Sequence, residues 1–256
     1  MTKRYERKYL VHNDHLDALR KRVGTFTEPD AYASKSGKEF PEYTVRSIYF
    51  DSNDWAAYDE KIEGLRDRNK LRIRGYDSYH PDNKVFFEIK HKFENRIGKS
   101  RALIPFSRVN ELLEYSNIED FHSPESRSGK DLNRFLYYYH RLHQRPVTTV
   151  VYEREPYFGS FDSGVRITFD KNIRANIFPE MQNLYEDDNC ILCWPNHFIL
   201  EIKYFSDEMP RWARSIVQEF EIQHQALSKY AQGIDVNYTN NAMFNRQKIG
   251  SLYKDD

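Results

Sequence analysis

The chain has 256 residues, 39% apolar and 15% aromatic, including 19 Tyr and 17 Phe, enough to bury a substantial core and to exclude global disorder. Lys plus Arg and Asp plus Glu balance at 39 each, which argues against a protein that coats nucleic acid by bulk charge and leaves room for a local basic site. Met1 to Lys8 lack the apolar core of a signal peptide, and no apolar run approaches the roughly 20 residues needed to span a bilayer, so a soluble, cytoplasmic protein without a membrane segment is expected.

A strand near 4–12 leads, with Asn13 or Asp14 as cap, into a helix through Leu16, Leu19 and Val23, whose presumed outer face carries Arg20 and Arg22. A strand near 43–51 precedes a short helix opened by Asp54 and running through Trp55, Tyr58 and Ile62. Strands near 65–76, 84–93 and 98–105 follow, then a helix after Ser107 through Val109, Leu112 and Leu113. Residues 130–143 place Leu132, Phe135, Leu136, Tyr139 and Leu142 at helical spacing, and Pro146 marks the end. Strands near 146–157, 163–171 and 197–205 come next, and Pro210 suits the first turn of a helix bearing Trp212, Ile216 and Phe220. Loops fall where Ser, Gly, Pro, Asn and Asp collect, none long or biased enough to be a clear linker, so one domain over residues 1–256 is expected.

Five of these segments place charged or polar residues two apart, with apolar or aromatic residues between in all but the first: Glu6-Arg7-Lys8, Leu71-Arg72-Ile73-Arg74, Phe87-Glu88-Ile89-Lys90, Val165-Arg166-Ile167-Thr168-Phe169-Asp170 and Leu200-Glu201-Ile202-Lys203. A strand sends successive side chains to opposite faces, so each has one charged and one greasy face. Buried parallel strands read as continuous apolar runs, whereas these alternate. The pattern predicts an α+β fold: an eight-stranded antiparallel β-barrel with helices packed outside, its interior wide enough for side chains or one slender ligand.

The basic set expected inside is Lys8, Arg72, Arg74, Lys90, Lys99, Arg101, Arg154 and Arg166, with Lys203 at the far end. Glu6, Glu88 and Glu201 recur in a Glu-x-Lys step and are candidate ligands for a hard divalent cation; each could equally pair with its neighbouring Lys. Three glutamates do not neutralise nine cations, so the remaining counter-charge should come from water, small anions or a phosphorylated ligand, which Arg and Lys both suit. The competing reading makes these the solvated outer faces of an ordinary sheet. No Walker A loop, G-x-G-x-x-G or G-x-S-x-G elbow occurs. Cys190 and Cys193 form a C-x-x-C with only His197 nearby, and incidental packing is expected of them.

The ordered blocks Glu6-Arg7-Lys8-Tyr9-Leu10-Val11-His12, Ser47-Ile48-Tyr49-Phe50-Asp51, Leu71-Arg72-Ile73-Arg74-Gly75-Tyr76, Phe87-Glu88-Ile89-Lys90-His91-Lys92, Gly98-Lys99-Ser100-Arg101, Tyr152-Glu153-Arg154, Val165 to Asp170, Leu200-Glu201-Ile202-Lys203-Tyr204 and Leu227-Ser228-Lys229-Tyr230 resemble the VTC-type polyphosphate polymerase domain, over about residues 4–233. That family belongs to the triphosphate tunnel metalloenzymes, which are CYTH-like. The resemblance implies an eight-stranded tunnel in which Lys8, Arg72, Arg74, Lys90, Lys99, Arg154, Arg166 and Lys229 hold phosphate oxygens, Tyr152 and Ser228 make accessory contacts, and Glu201 binds the metal, Mn²⁺ or Mg²⁺. It implies transfer of the γ-phosphate of ATP to a growing inorganic polyphosphate chain, with ATP and polyphosphate as partners; hydrolysis of tripolyphosphate or nucleoside triphosphates, and non-catalytic polyphosphate binding, are the alternatives.

Two positions depart from the pattern. The tunnel hydrolases open with Glu-x-Glu-x-Lys, and Arg4 replaces the first acid here, which favours transfer over hydrolysis. Ala226 stands where eukaryotic polymerases carry a basic residue three before the Ser-Lys lysine. The resemblance implies a free-standing soluble form of bacterial type, without the phosphate-sensing domain and membrane helices of the eukaryotic complexes.

Overall fold

A computed structural model describes residues 5–93, 96–162, 164–205 and 208–240. Eight strands form one antiparallel sheet whose spatial order is β1 (Tyr5–His12), β10 (His197–Tyr204), β8 (Arg166–Ile177), β7 (Arg145–Gly159), β3 (Tyr43–Asp51), β4 (Asp67–Tyr76), β5 (Lys84–Phe93) and β6 (Arg96–Pro105). These are the eight strands expected from alternation, with β8 longer than expected. Two short strands, β2 (Thr27–Pro29) on β7 and β9 (Ile191–Leu192) on β8, carry too few residues to show a period.

The expected closed barrel needs correction. Among the described residues, backbone pairing does not join the two edges, β1 and β6. The outer edge of β1 is taken by a later segment instead: the Gln225 amide donates to the Lys8 carbonyl at 2.9 Å, and Tyr9 bridges to His224. Backbone groups engaged there, in the middle of β1, are not available to β6. Side chains alone cross the gap, with Lys90 Nζ on β5 lying 3.4 Å from Glu6 Oε1 on β1.

The greasy faces pack against helices as the alternation requires. Ile48, Phe50, Leu71, Ile73, Phe87 and Ile89 meet α3 (Val109–Tyr115) and α4 (Arg127–Arg141), with Phe135 edge-on to Phe87 at 4.9 Å. Tyr9, Val11, Ile167, Phe169, Phe198, Leu200 and Ile202 meet α1 (Leu16–Gly24) and α5 (Arg211–Glu219). Arg20 on α1 is no free outer residue. It forks onto the fully buried Glu155 and stacks 3.8 Å from the Phe40 ring, because a carboxylate buried on β7 requires a cation.

The charged face has its own cap. Helix α6 (Lys229–Asn240), which the sequence reading did not anticipate, lays Tyr230 and Ile234 against Val150, Ile173, Ala175 and Ile199. Buried Asn237 donates to the Ala175 carbonyl at 3.1 Å. The helix sits so close that a Cβ on Gly233 would lie 2.9 Å from the Ala175 Cβ. At the other end of β3, the buried Asp51 carboxylate accepts the Ala57 and Tyr58 amides at 2.9 and 3.0 Å, opening α2 (Ala56–Ile62), and takes the Tyr230 hydroxyl as well. That role had been expected of Asp54.

Gly233→Val should therefore push α6 away from the sheet. Overpacking of ~2 kcal/mol or more would lower the melting temperature by about 4–8 °C in a thermal melt. An unchanged melt would mean that α6 is not seated on β7 and β8.

Candidate functional site

The strand register places the expected residues side by side. On β1 and β10, Lys8 is opposite Glu201 and Glu6 opposite Lys203; on β10 and β8, Lys203 is opposite Arg166. Across β8, β7 and β3, Asp170 is opposite Arg154, which is opposite Tyr43. On the other half of the sheet Tyr49 is opposite Arg72, Arg72 opposite Glu88, and Glu88 opposite Arg101, with Lys90 between Lys70 and Lys99. Residues opposite one another share a face, so period two alone gathers these charges on one surface.

A cavity of about 570 Å³ lies on this face, within the range of small-molecule sites. Glu6, Lys8, Arg72, Arg74, Lys90, Tyr152, Arg154, Glu201, Lys203, Ser228 and Lys229 all line it. The solvated-sheet alternative fails for the centre, since Arg74, Arg154, Glu88 and Glu201 are buried. Lys99 and Arg101 stand on edge strand β6, about 40% exposed, and reach the group only through Glu88. Arg166 sits off the cavity beside the Tyr43 hydroxyl at 3.3 Å, its buried Nε without a partner. Arg4 lies outside the described residues, and Ala226 lines the cavity.

Three carboxylate centres hold the cations in place. Glu88, fully buried, receives Arg72 at 2.6 Å, Lys99 at 2.5 Å and Arg101 at 2.8 Å. Burial alone would raise the Glu88 pKa, but Arg72, Arg74 and Lys99 hold it far below the usual carboxylate range. Glu6 and Glu201 form the second centre: Glu201 lies 2.9 Å from Lys203 and 3.5 Å from Arg154, and Glu6 lies 3.1 Å from Lys8. Against burial, Lys203, Lys8 and Arg154 hold Glu201 well down, while burial and Glu201 oppose ionisation of Glu6, whose pKa Lys8, Lys90 and Lys203 bring down.

The third centre is Asp170, which the sequence reading did not single out. It accepts both arms of Arg154 at 2.7 and 2.8 Å and Lys229 Nζ at 2.6 Å. Its signal was present, since it continues the Arg166, Thr168 alternation on β8. Tyr49 was also missed: its hydroxyl accepts from Arg72 at 3.0 Å, and against burial Arg72 and Arg74 bring its pKa down to about 8. Ser228 caps α6, its Oγ accepting the Ala231 amide at 3.3 Å, and this turn projects Lys229 toward Asp170.

The site remains cationic. Among the described residues, Lys8, Arg72, Arg74, Lys90, Lys99, Arg101, Arg154, Arg166, Lys203 and Lys229 face Glu6, Glu88, Asp170 and Glu201, ten formal positive charges against four negative. Burial pushes Lys90 down to about 8 despite Glu6, and Lys99 down to about 7 despite Glu88. These cations are short of counter-charge within the described residues. Among the described residues, no group of three or more His, Cys, Asp or Glu could hold a metal ion. Cys190 and Cys193 are free, with burial pushing their thiols up to about 11 and 12, and neither lines this cavity.

A family model described as VTC domain matches residues 3–238. No curated protein matches the chain. Among solved structures, the chain is loosely similar to a Mimivirus capping enzyme triphosphatase in a monoclinic crystal, at 10% identity and a TM-score of 0.30, covering 84% of this chain and 88% of that one. Among the described residues, no helix is long and apolar enough to cross a membrane.

Asp170→Asn leaves Arg154 and Lys229 without their main counter-charge. Breaking one partner of a buried pair costs about 3–5 kcal/mol, so the melting temperature should fall by more than ~6 °C. Burial opposes the Asp170 charge, but Arg154 and Lys229 hold its pKa down to about 2. A depressed carboxylate stabilises above its unfolded pKa and loses that contribution as pH falls through the folded value. Wild-type stability should therefore drop from about pH 4 toward pH 2, and the variant should show a shallower drop over that window. Identical acid profiles would remove Asp170 as the keystone of the site.

Proposed function

The chain belongs to the VTC domain family, and we propose that it is a metal-dependent polyphosphate polymerase that transfers the γ-phosphate of ATP to a growing polyphosphate chain. The observation that carries this reading is the cavity on the charged face, whose cations outnumber its acids and sit in fixed positions. Phosphoryl transfer needs positioning and charge neutralisation more than covalent help from the protein. A terminal oxygen of the chain attacks the γ-phosphorus, the bond to the bridging β–γ oxygen breaks, and ADP departs with the electron pair. The attacking oxygen is already anionic, so no side chain has to remove a proton from it.

The difficulty lies in bringing two polyanions together. Arg72, Arg74 and Arg154 have fixed, forked donors suited to bidentate phosphate contact, and Lys8, Lys90, Lys203 and Lys229 supply compact charges around them. Arg72 is held by Glu88 and Tyr49, and Arg154 by Asp170, so these clamps are oriented before ligand arrives. The Tyr152 hydroxyl, 3.5 Å from Arg74, completes that wall. Lys99, Arg101 and Arg166 extend the basic face beyond the cavity.

Glu201 and Glu6, adjacent in the cavity, fit a hard divalent cation, which takes one or two carboxylates together with phosphate and water oxygens. Mn²⁺ or Mg²⁺ held there would neutralise charge on phosphate oxygens. Glu88 already meets three cations and serves as their counter-ion.

Pure protein incubated with ATP and Mn²⁺ should yield polymer on a stained gel; free phosphate alone would point to a hydrolase, and neither product to a binding module. Glu201→Gln should reduce metal-dependent turnover by at least ~10²-fold while phosphate binding persists. Arg72→Ala should cost about 2–4 kcal/mol of transition-state stabilisation, whereas Arg22→Ala, which loses only an exposed pair with Glu219, should leave the rate near normal. Comparable rates in all these variants would take the chemistry away from this cavity.

A further inference from the structure

A second basic group lies on the same face. Arg68 on β4 is directly opposite Lys92 on β5, and Lys70 is directly opposite Lys90. Like charges opposite one another on a sheet face are destabilising. Lys61 projects from α2 into the same cavity, whose lining includes Arg68, Lys70 and Lys92. All four side chains are half-buried.

None of the four has a carboxylate within ion-pair distance among the described residues. Arg68 reaches only the Leu65 carbonyl at 2.9 Å, and Lys70 lies 4.2 Å over the Tyr230 ring. Of the acids nearby, Asp51 is occupied by the α2 amides and Tyr230, Asp235 takes the Tyr58 hydroxyl, and Glu60 forms no ion pair with them. Their mutual proximity shows in their ionisation. Burial together with Arg68, Lys8 and Lys92 pushes Lys61 down, burial with Arg68 and Lys61 pushes Lys70 well down, and burial with Arg68 lowers Lys92. In the central clamp a ligand competes with four resident carboxylates. In this outer group no carboxylate among the described residues is paired with the four cations.

We propose that Lys61, Arg68, Lys70 and Lys92 form an outer phosphate subsite, continuous with the central clamp through Lys90, that holds the part of an extended polyphosphate chain lying beyond the reacting phosphates; this rests on the polyphosphate-handling function above. Lys90 is the link because it touches Glu6 in the central group and stands opposite Lys70 in the outer one. A short anion fills the centre and leaves the outer four uncompensated, whereas a long chain engages both at once. The subsite thus sets preference for chain length.

The test is the triple variant Lys61→Ala, Arg68→Ala, Lys92→Ala, with Lys70 retained because it packs on Tyr230. Calorimetric titration with tripolyphosphate and with polyphosphate of about 50 phosphates gives the ratio of the two affinities. The long chain should lose at least about tenfold relative to tripolyphosphate in the variant, the loss of a second linked contact. A ratio unchanged from wild type overturns the subsite. The ligand-free variant should melt at or above the wild-type temperature, because an opposed like-charged pair has been removed; a lower melt would make these cations structural and overturn the proposal equally. Failure of the wild type to make polymer from ATP would sink the polymerase reading separately, and the binding ratio would still decide the outer subsite.

Discussion

The buried ion cluster of Asp170 with Arg154 and Lys229 is the contact on which the rest of the site depends. It joins three parts of the chain distant in sequence: strand β8, strand β7 and the first residue of α6. Two cations and one carboxylate in a buried position still carry net positive charge. Such a cluster contributes little to stability on its own, because desolvation consumes most of the attraction, but losing one member is costly. Its consequence is geometric. It fixes the Arg154 fork in one orientation and pins the start of α6 over the charged face.

The same arrangement recurs around Glu88 and around the Glu6–Glu201 pair, with more cations than acids at each centre. The face is therefore rigid yet electrostatically unfinished. Full neutralisation by carboxylates would give a stable sheet with no reason to bind phosphate. Without any carboxylates, repulsion would drive the side chains apart and would add to the burial that already pushes the Lys90 and Lys99 pKa values down. Partial compensation keeps the donors aimed and leaves a deficit that a polyanion fills.

Much of this was legible in the sequence because strand periodicity is local. The alternation at Leu71 to Arg74, Phe87 to Lys90 and Leu200 to Lys203 located three strands and assigned their charged sides to one surface. What stayed hidden depended on distant pairing. Helix α6 mixes Gly233, Ile234, Val236 and Thr239, a run without a strong helical stripe, and forms because Tyr230, Ile234 and Asn237 find partners on the sheet. The failure of the edges to pair follows from His224 and Gln225 occupying β1, which no window around Glu6 to Lys8 could reveal. Arg20 looked like an outer-helix cation because its partner, Glu155, lies on a strand far along the chain. Lys61, Arg68 and Lys70 lie outside the family blocks and Lys92 ends one of them without an assigned role, although Arg68 and Lys70 continue the Arg72, Arg74 alternation on β4.

The central claim is that one elongated, under-compensated basic site exists, and ligand-linked stability reads it most directly. Tripolyphosphate and sulfate should be compared by thermal shift at fixed ionic strength. A ligand that binds only the folded state adds about 2.7 kcal/mol at ~100 Kd, so tripolyphosphate should raise the melting temperature by about 5–11 °C. Sulfate, which cannot span several clamps at once, should raise it far less. Equal shifts with the two anions would contradict the account, because they would show basic residues acting as separate anion spots rather than as one continuous site.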